Sequence, residues 1–327
     1  MTVILFNMKF LDTHFDDYIQ SSNKILLHPS LKKIYDCFPV NMSDLRNMLF
    51  YGPSGVGKYT QVLNVIKKYS PSELKYEKKI TVVYNKINYY FKISDIHFEI
   101  DMAILGCNSK LLWNDIYVNI IDILSSRINK HGIIVCKNFH KIHSELLECF
   151  YSYVQQSNKS ISLTYIIISE SVSFIPDDTI NNFHIISIPR PSRSNYNKIL
   201  GTKLPTKYNI KTIHNIKDVM AKTIPRTINT QNYVEILYTV LLNPIDIKFG
   251  QFRDTIYDLF IYDMDIGNII WLLLKKCIYN NNIQPGDISG IFIDTYSLLQ
   301  YYNNNYRPIY HLEKYLYNLI NKIHGFK

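Results

Sequence analysis

The stretch GPSGVGKYT, residues 52–60, has the residue types and spacing of a loop that binds phosphate groups. In the pattern G-x-x-x-x-G-K, the glycines let backbone N–H groups converge on phosphate oxygens, and the lysine, here Lys58, adds a positive charge. The preceding RNMLFY predicts a strand and the following KYTQVLNVIKKY predicts a helix, which is the context that such a loop requires. The predicted nucleotide-binding residues are Gly52, Pro53, Ser54, Gly55, Val56, Gly57, Lys58, Tyr59 and Thr60.

The residues that would hold a metal ion and activate water depart from those of a hydrolysing site. A Ser or Thr hydroxyl normally follows the lysine and ligates Mg²⁺. Tyr59 stands there, and Thr60 comes one position late, about 100° further round the helix. The strand GIIVCKNFHK carries Lys137 and Asn138 where a pair of acidic residues is expected; the lysine would repel Mg²⁺ and the amide cannot act as a base. We therefore predict no catalytic residues, a poor fit to Mg²⁺, and weak or no ATP hydrolysis by the isolated chain.

The net charge of +9 is concentrated in one segment. Residues 190–226 contain nine basic residues and one acidic residue, a surplus of +8. Such a segment is often only a solvated face, but in a nucleotide-binding protein it also predicts contact with the phosphate backbone of a nucleic acid. The candidates for this contact are Arg190, Arg193, Lys198, Lys203, Lys207 and Lys211.

Other site types are disfavoured. The five cysteines are widely spaced and form no C-x-x-C pair, which argues against a disulfide framework and a zinc ribbon. His140 and His143 are three residues apart but lie among lysines, so no metal site is predicted. No apolar run reaches the roughly 18–20 residues that span a bilayer, and the first residues lack the features of a signal peptide. We expect an intracellular protein with no membrane partner.

The pattern of strands and helices predicts an α/β fold. From the loop to about residue 190, apolar strands alternate with amphipathic helices, which is typical of a mainly parallel sheet covered on both faces. The exception, KITVVYNKINYYFKISDIHFEID, alternates apolar and polar residues and predicts a β-hairpin or a pair of strands. The predicted domains are a nucleotide-binding domain over 1–190, a short basic helical lid over 191–230, and an all-α domain over 231–327 that packs against neighbouring subunits.

An ordered series of segments resembles the small subunits of replication factor C, which are AAA+ clamp loaders. In order, the series is YGPSGVGKYT, IHFEID, GIIVCKNFHKIHSELLECFYSYVQ, YIIISESVSFIP, NNFHIISIPRPS and YRPIYHLEKYLYNLI. The loop is most similar to that of the paralogue with GPSGxGKKT, which also lacks a hydroxyl directly after the lysine. The resemblance runs from about residue 25 to the end. It implies an AAA+ domain that binds ATP or ADP, a lid, and a helical collar through which subunits assemble.

The chain departs from this family at the residues that act in hydrolysis. The sensor-1 position falls at Glu170. The family's Ser-Arg-Cys, whose arginine reaches a neighbour's ATP site, is replaced by Asn181, Asn182 and Phe183. Together with the missing acidic pair, these differences imply a subunit that neither hydrolyses ATP nor triggers hydrolysis in its neighbour.

The resemblance thus implies a structural subunit of a clamp loader in DNA replication. Its partners would be other replication factor C-like subunits in a hetero-oligomer, a PCNA-like sliding clamp and primer-template DNA. The abundance of Tyr, Asn, Ile and Lys is typical of an AT-rich genome, such as that of some large DNA viruses. For a divergent viral member of this family, the expected location is the nucleus or a cytoplasmic viral replication site.

Two alternatives stay open, and a third is set aside. The first is a slow ATPase that uses unconventional residues such as Glu170 or Glu145, and the second is an AAA+ scaffold that acts without DNA. Guanylate kinases also contain GPSGVGK, but residues 61–100 show no Arg-rich nucleobase-binding stretch, so that interpretation is disfavoured.

Overall fold

The computed structural model describes residues 14–24, 27–156, 161–201, 203–204, 210, 230–246, 248–262, 264–302 and 307–326. The chain divides into two compact units, Met1–Thr223 and Ile224–Lys327. Most of the predicted basic lid, 191–230, lies outside the described residues, and so do Lys207 and Lys211.

The first unit is built on a seven-stranded sheet. Its strands are β1 Met48–Tyr51, β2 Lys78–Tyr84, β3 Ile87–Ile93, β4 His97–Asp101, β5 His131–Lys137, β6 Ser162–Ser169 and β7 His184–Ser187. Their order in the sheet is β2-β3-β4-β5-β6-β1-β7. Strands β4, β5, β6, β1 and β7 run parallel, whereas β2 and β3 form the predicted hairpin and are antiparallel. The prediction of an α/β fold with a mainly parallel sheet is confirmed.

The register places β1 between two parallel neighbours. Phe50 of β1 pairs with Ile168 of β6 on one side and with Ile186 of β7 on the other. Because the carboxyl ends of parallel strands meet at one edge of a sheet, the residues that follow β1, β5 and β6 come together there. That edge is where open α/β sheets bind ligands.

Helices cover both faces of this sheet. They are α1 Phe15–Lys24, α2 Lys32–Asp36, α3 Lys58–Lys67, α4 Met102–Leu105, α5 Ser109–Ser125, α6 Ser144–Gln155, α7 Asp177–Ile180 and α8 Arg193–Leu200. Successive residues of β5 point to opposite faces. Ile133 and Val135 pack in the core formed with α1 and α3, whereas Ile134 and Cys136 pack in the core formed with α5 and α6.

The second unit is helical, as the sequence predicts. Its helices are α9 Thr230–Leu242, α10 Phe249–Ile261, α11 Ile266–Tyr279, α12 Ile288–Tyr302 and α13 Pro308–His324, and they share one apolar core. A paired hydrogen bond joins two of them: Arg253 Nη2 donates to Glu313 Oε2 at 2.7 Å, and Arg253 Nε donates to Glu313 Oε1 at 3.3 Å. Among the described residues, no helix has both the length and the apolar character needed to cross a bilayer.

Candidate nucleotide-binding site

The loop between β1 and α3 depends on glycine at three positions. Gly55 and Gly57 have φ of 66° and 90°, in the left-handed region that glycine adopts without steric cost. Gly52 needs the absence of a side chain for another reason, since a Cβ there would lie 2.2 Å from the carbonyl oxygen of Ile188. The predicted loop residues therefore form a tight turn that ends at the first residue of α3, whose N-terminus favours an anion.

Lys58 begins α3 and is turned into the loop. Its Nζ donates to the carbonyl oxygens of Gly52 at 2.7 Å and Pro53 at 2.8 Å, and only 8% of the residue is exposed. Burial lowers the pKa of Lys58, although the nearby carboxylate of Glu170 opposes this shift. The lysine is thus held against the backbone of the loop in which the sequence places it; its contact with a phosphate group stays a prediction.

His28 supports the loop and was not predicted. Its buried ring donates a hydrogen bond from Nε2 to the carbonyl oxygen of Val56 at 2.8 Å. Burial lowers the pKa of His28, so the neutral ring is favoured. No local signal in the sequence marks this residue, because it lies 28 positions before its partner.

Tyr59, at the position of the usual metal-binding hydroxyl, has its own partner on the sheet. Its hydroxyl donates to Glu99 Oε1 at 2.6 Å, and its ring meets Tyr18 edge to face at 4.9 Å. Burial raises the pKa of Tyr59 well above the ordinary value, and the negative charge of Glu99 adds to this effect. The phenol is therefore a fixed hydrogen-bond donor to the carboxylate.

Glu99, a residue of β4, lies at the centre of a polar network that also includes residues of α3 and β5. It is 3% exposed; its Oε1 also lies 3.4 Å from His97 Nε2, and its Oε2 lies 3.6 Å from Lys137 Nζ. Behind it, Ser94 Oγ and His97 Nδ1 are 2.5 Å apart. Burial alone would raise the pKa of Glu99, but the hydrogen bond with His97 and the charge of Lys137 outweigh it and leave the pKa below the ordinary value. Glu99 is thus a buried anion that several donors stabilise.

The two residues that replace the expected acidic pair both contact acids of the neighbouring strand β4. Lys137, the last residue of β5, lies beside Glu99 and 4.3 Å from the centre of the Tyr59 ring, within the range of a cation–π contact. Asn138 follows in the left-handed region, with φ of 51°, and its Nδ2 donates to both carboxylate oxygens of Asp101 at 3.0 and 3.1 Å. Two acids thus lie on β4, and the residues that face them, the last residue of β5 and the one after it, are a cation and an amide.

Glu170, at the predicted sensor-1 position after β6, lies beside the loop. Its Oε1 is 3.8 Å from Lys58 Nζ. Its backbone N–H donates to His140 Nδ1 at 3.3 Å, and the other nitrogen of that ring lies 3.9 Å from Glu170 Oε2. Glu145, the other acid that a slow ATPase could use, lies exposed in the first turn of α6.

The structure describes four of the six basic residues that are predicted to contact nucleic acid. Arg190 is half-buried after β7, Arg193 and Lys198 lie in α8, and Lys203 is exposed just beyond it. Within the described parts of the chain, no cluster of three or more His, Cys, Asp or Glu side chains could hold a metal ion.

Comparisons with known proteins found similarity among solved structures alone. No family model matches the chain, and no curated protein matches it. A structure of the RuvB Holliday junction branch migration motor of Thermotoga maritima is similar over 70% of this chain and 66% of its own, with 14% identity and a TM-score of 0.35. A structure of katanin, described in terms of its self-assembly, is similar over 66% of this chain and 68% of its own, with 15% identity and a TM-score of 0.33.

Proposed function

We propose that this chain is a nucleotide-binding AAA+ protein that holds ATP or ADP without hydrolysing it, as a structural subunit of a replication factor C-like clamp loader. The observation that carries the first part is the loop geometry. Three glycines form the turn after β1, and Lys58 lies inside it at the N-terminus of α3. The clamp-loader part rests on the ordered resemblance of sequence segments.

The non-hydrolytic part of the proposal rests on three neighbouring residues. The hydroxyl of Tyr59 is engaged with Glu99, the amide of Asn138 is engaged with Asp101, and Lys137 brings a positive charge to within 4.3 Å of the Tyr59 ring. Lys137 cannot ligate Mg²⁺, the hydroxyl of Tyr59 is already engaged as a donor, and none of the three side chains is suited to accept a proton from an attacking water.

The second unit and the basic segment support the proposed partners. Helices α11 and α12 leave large apolar side chains exposed, as expected of a surface that packs against another subunit. They are Trp271, Tyr279, Phe292, Ile293, Tyr296 and Leu299. The exposed Lys198 and Lys203 are suited to contact DNA phosphates.

Lys58→Ala is expected to weaken binding of a fluorescent ATP analogue by about 10- to 100-fold, the range for loss of one hydrogen bond to a charged group. Equilibrium titration of the purified chain measures this loss. Lys67→Ala is the matched control, because Lys67 lies at the other end of α3, paired with Glu73. Equal binding by the Lys58→Ala variant and the parent would contradict the assignment of the loop.

One observation favours a second candidate, the slow ATPase. The carboxylate of Glu170 lies beside Lys58, where it could accept a proton from water. The proposal predicts background phosphate release for the parent chain and for Glu170→Gln. If the parent instead turns over ATP, and Glu170→Gln and Lys58→Ala abolish that turnover while Glu145→Gln retains it, the second candidate is correct.

The assembly is tested by co-expression with replication factor C-like paralogues. We expect the chain to co-purify with these paralogues. We also expect the complex to load a sliding clamp onto primer-template DNA in an ATP-dependent reaction. A chain that binds nucleotide but co-purifies with neither paralogue nor clamp would support the AAA+ scaffold instead.

A further inference from the structure

The residues around Tyr59 do not fit a magnesium ion. Mg²⁺ requires near-octahedral coordination by oxygen at short distances and retains several waters. Here the hydroxyl of Tyr59 donates a hydrogen bond to Glu99, and the second oxygen of that carboxylate faces an ammonium group, Lys137 Nζ, at 3.6 Å. A divalent ion at this position would meet a fixed positive charge.

The same arrangement supplies a cation from the chain itself. The side chain of Lys137 is 31% exposed, whereas that of Glu99 is 2% exposed. The ammonium therefore lies at the boundary between the buried carboxylate and the solvent-facing edge of the sheet. Its contact with the ring of Tyr59 places it against the first turn of α3, and Tyr59 directly follows Lys58.

The network behind Lys137 holds it in place. Glu99 is fixed by Tyr59 and His97, and the ring of His97 is in turn fixed by Ser94. A lysine anchored to a buried carboxylate loses less conformational freedom on meeting a phosphate than a free surface lysine does. Lys137 is thus held beside the Tyr59 ring at the first turn of α3, whereas Lys58 is held at the carbonyls of Gly52 and Pro53.

We propose that the site binds the phosphates of a nucleotide with Lys58 and Lys137 as its cations and without a divalent metal ion. This inference rests on the proposed nucleotide binding. The ligand is then the metal-free nucleotide, and the two lysines offset part of the negative charge of its phosphates. Excess Mg²⁺ reduces the charge of the nucleotide and brings a hydrated cation toward Lys137, so it does not strengthen binding.

A purely structural role for Lys137, compensation of the charge of Glu99, must be separated from this one. The double variant Lys137→Met/Glu99→Gln removes both charges, so it leaves no unpaired charge in the core. Lys130→Met is the matched control, because Lys130 is exposed just before the other end of β5.

The experiment is a titration of the purified chain with a fluorescent ATP analogue, in excess EDTA and in excess Mg²⁺. The parent is expected to bind in EDTA at least as tightly as in Mg²⁺. In EDTA the double variant is expected to bind about 10- to 100-fold more weakly, as for loss of one charge-assisted contact, and Lys130→Met is expected to bind like the parent.

The outcomes separate the inference from the function on which it rests. Parent binding that requires Mg²⁺, or a folded double variant that binds like the parent in EDTA, overturns the metal-free site and leaves nucleotide binding intact. Absence of binding by the parent in both conditions overturns the nucleotide-binding function itself. If the double variant does not fold, as judged by circular dichroism, the comparison of EDTA with Mg²⁺ in the parent decides the inference.

Discussion

Gly52→Ala is expected to destabilise the first unit by about 3 kcal/mol, at the upper end of the usual cost of overpacking, and to abolish nucleotide binding. The added Cβ would lie 2.2 Å from the carbonyl oxygen of Ile188. Neither side can easily move, because both are tied into the sheet. The N–H of Ile188 donates to Tyr51 at 2.8 Å, and the N–H of Gly52 donates to Ser169 at 3.3 Å.

This change is measured by urea unfolding in a Trp271→Phe background. The chain has two tryptophans, and Trp113, buried in the first unit, is then the sole tryptophan. The matched control is Gly250→Ala in α10 of the second unit, where an added Cβ meets no atom within 4 Å. The control is expected to leave the Trp113 transition unchanged. Equal stability of the Gly52→Ala variant and its parent would refute the close approach of the loop to Ile188.

The second large effect is expected at Lys137. Lys137→Met removes the cation that faces Glu99 and leaves the carboxylate buried without it, at a cost of about 3 kcal/mol in the free energy of unfolding. Adding Glu99→Gln removes the unpaired charge while keeping a group that can accept from Tyr59, so the double variant should regain most of this loss. A double-mutant cycle by urea unfolding measures the coupling. If the Lys137→Met loss persists in the double variant, the cost has another source than the buried carboxylate.

The pH dependence of the same variants gives an independent measure. Because the pKa of Glu99 in the folded protein lies below its ordinary value of 4.5, its contribution to stability is present above pH 4.5 and is lost as the pH falls through the folded pKa. The destabilisation by Lys137→Met should therefore shrink as the pH is lowered below about 4.5. A difference between parent and variant that is constant down to low pH would contradict the role given to this ion pair.

The sequence predicted most of the fold because the signals for it are local. Apolar periodicity gave the strands β1, β5, β6 and β7, the hairpin β2–β3 and the helices of the second unit. The spacing of glycines and lysine in residues 52–58 gave the loop, since that pattern reflects backbone conformations that only glycine adopts freely. The replacement of the expected acidic pair at the end of β5 by Lys137 and Asn138 also follows from the sequence alone.

What Tyr59, Lys137 and Asn138 do could not be read from the sequence. Their partners lie on β4, and the sequence separations are 40 residues for Tyr59 with Glu99 and 37 for Asn138 with Asp101. The segment IHFEID contributes to the family resemblance, but nothing in its pattern assigns Glu99 a role. An alternating strand pattern gives the face on which a side chain lies, and not which side chain of a distant segment it meets.

The sequence alone thus determined that the chain has a loop with the G-x-x-x-x-G-K pattern in an α/β unit followed by a helical unit, and that the residues usual for metal binding and water activation beside such a loop are replaced. The tertiary structure decided what the replacements form. The parallel pairing of β4 with β5 places the end of β4 beside Lys137 and Asn138. The packing of α3 against the sheet places the hydroxyl of Tyr59 beside Glu99. Burial is the physical reason for the result: a carboxylate removed from water must find its donors within the fold, and here it finds Tyr59, His97 and Lys137.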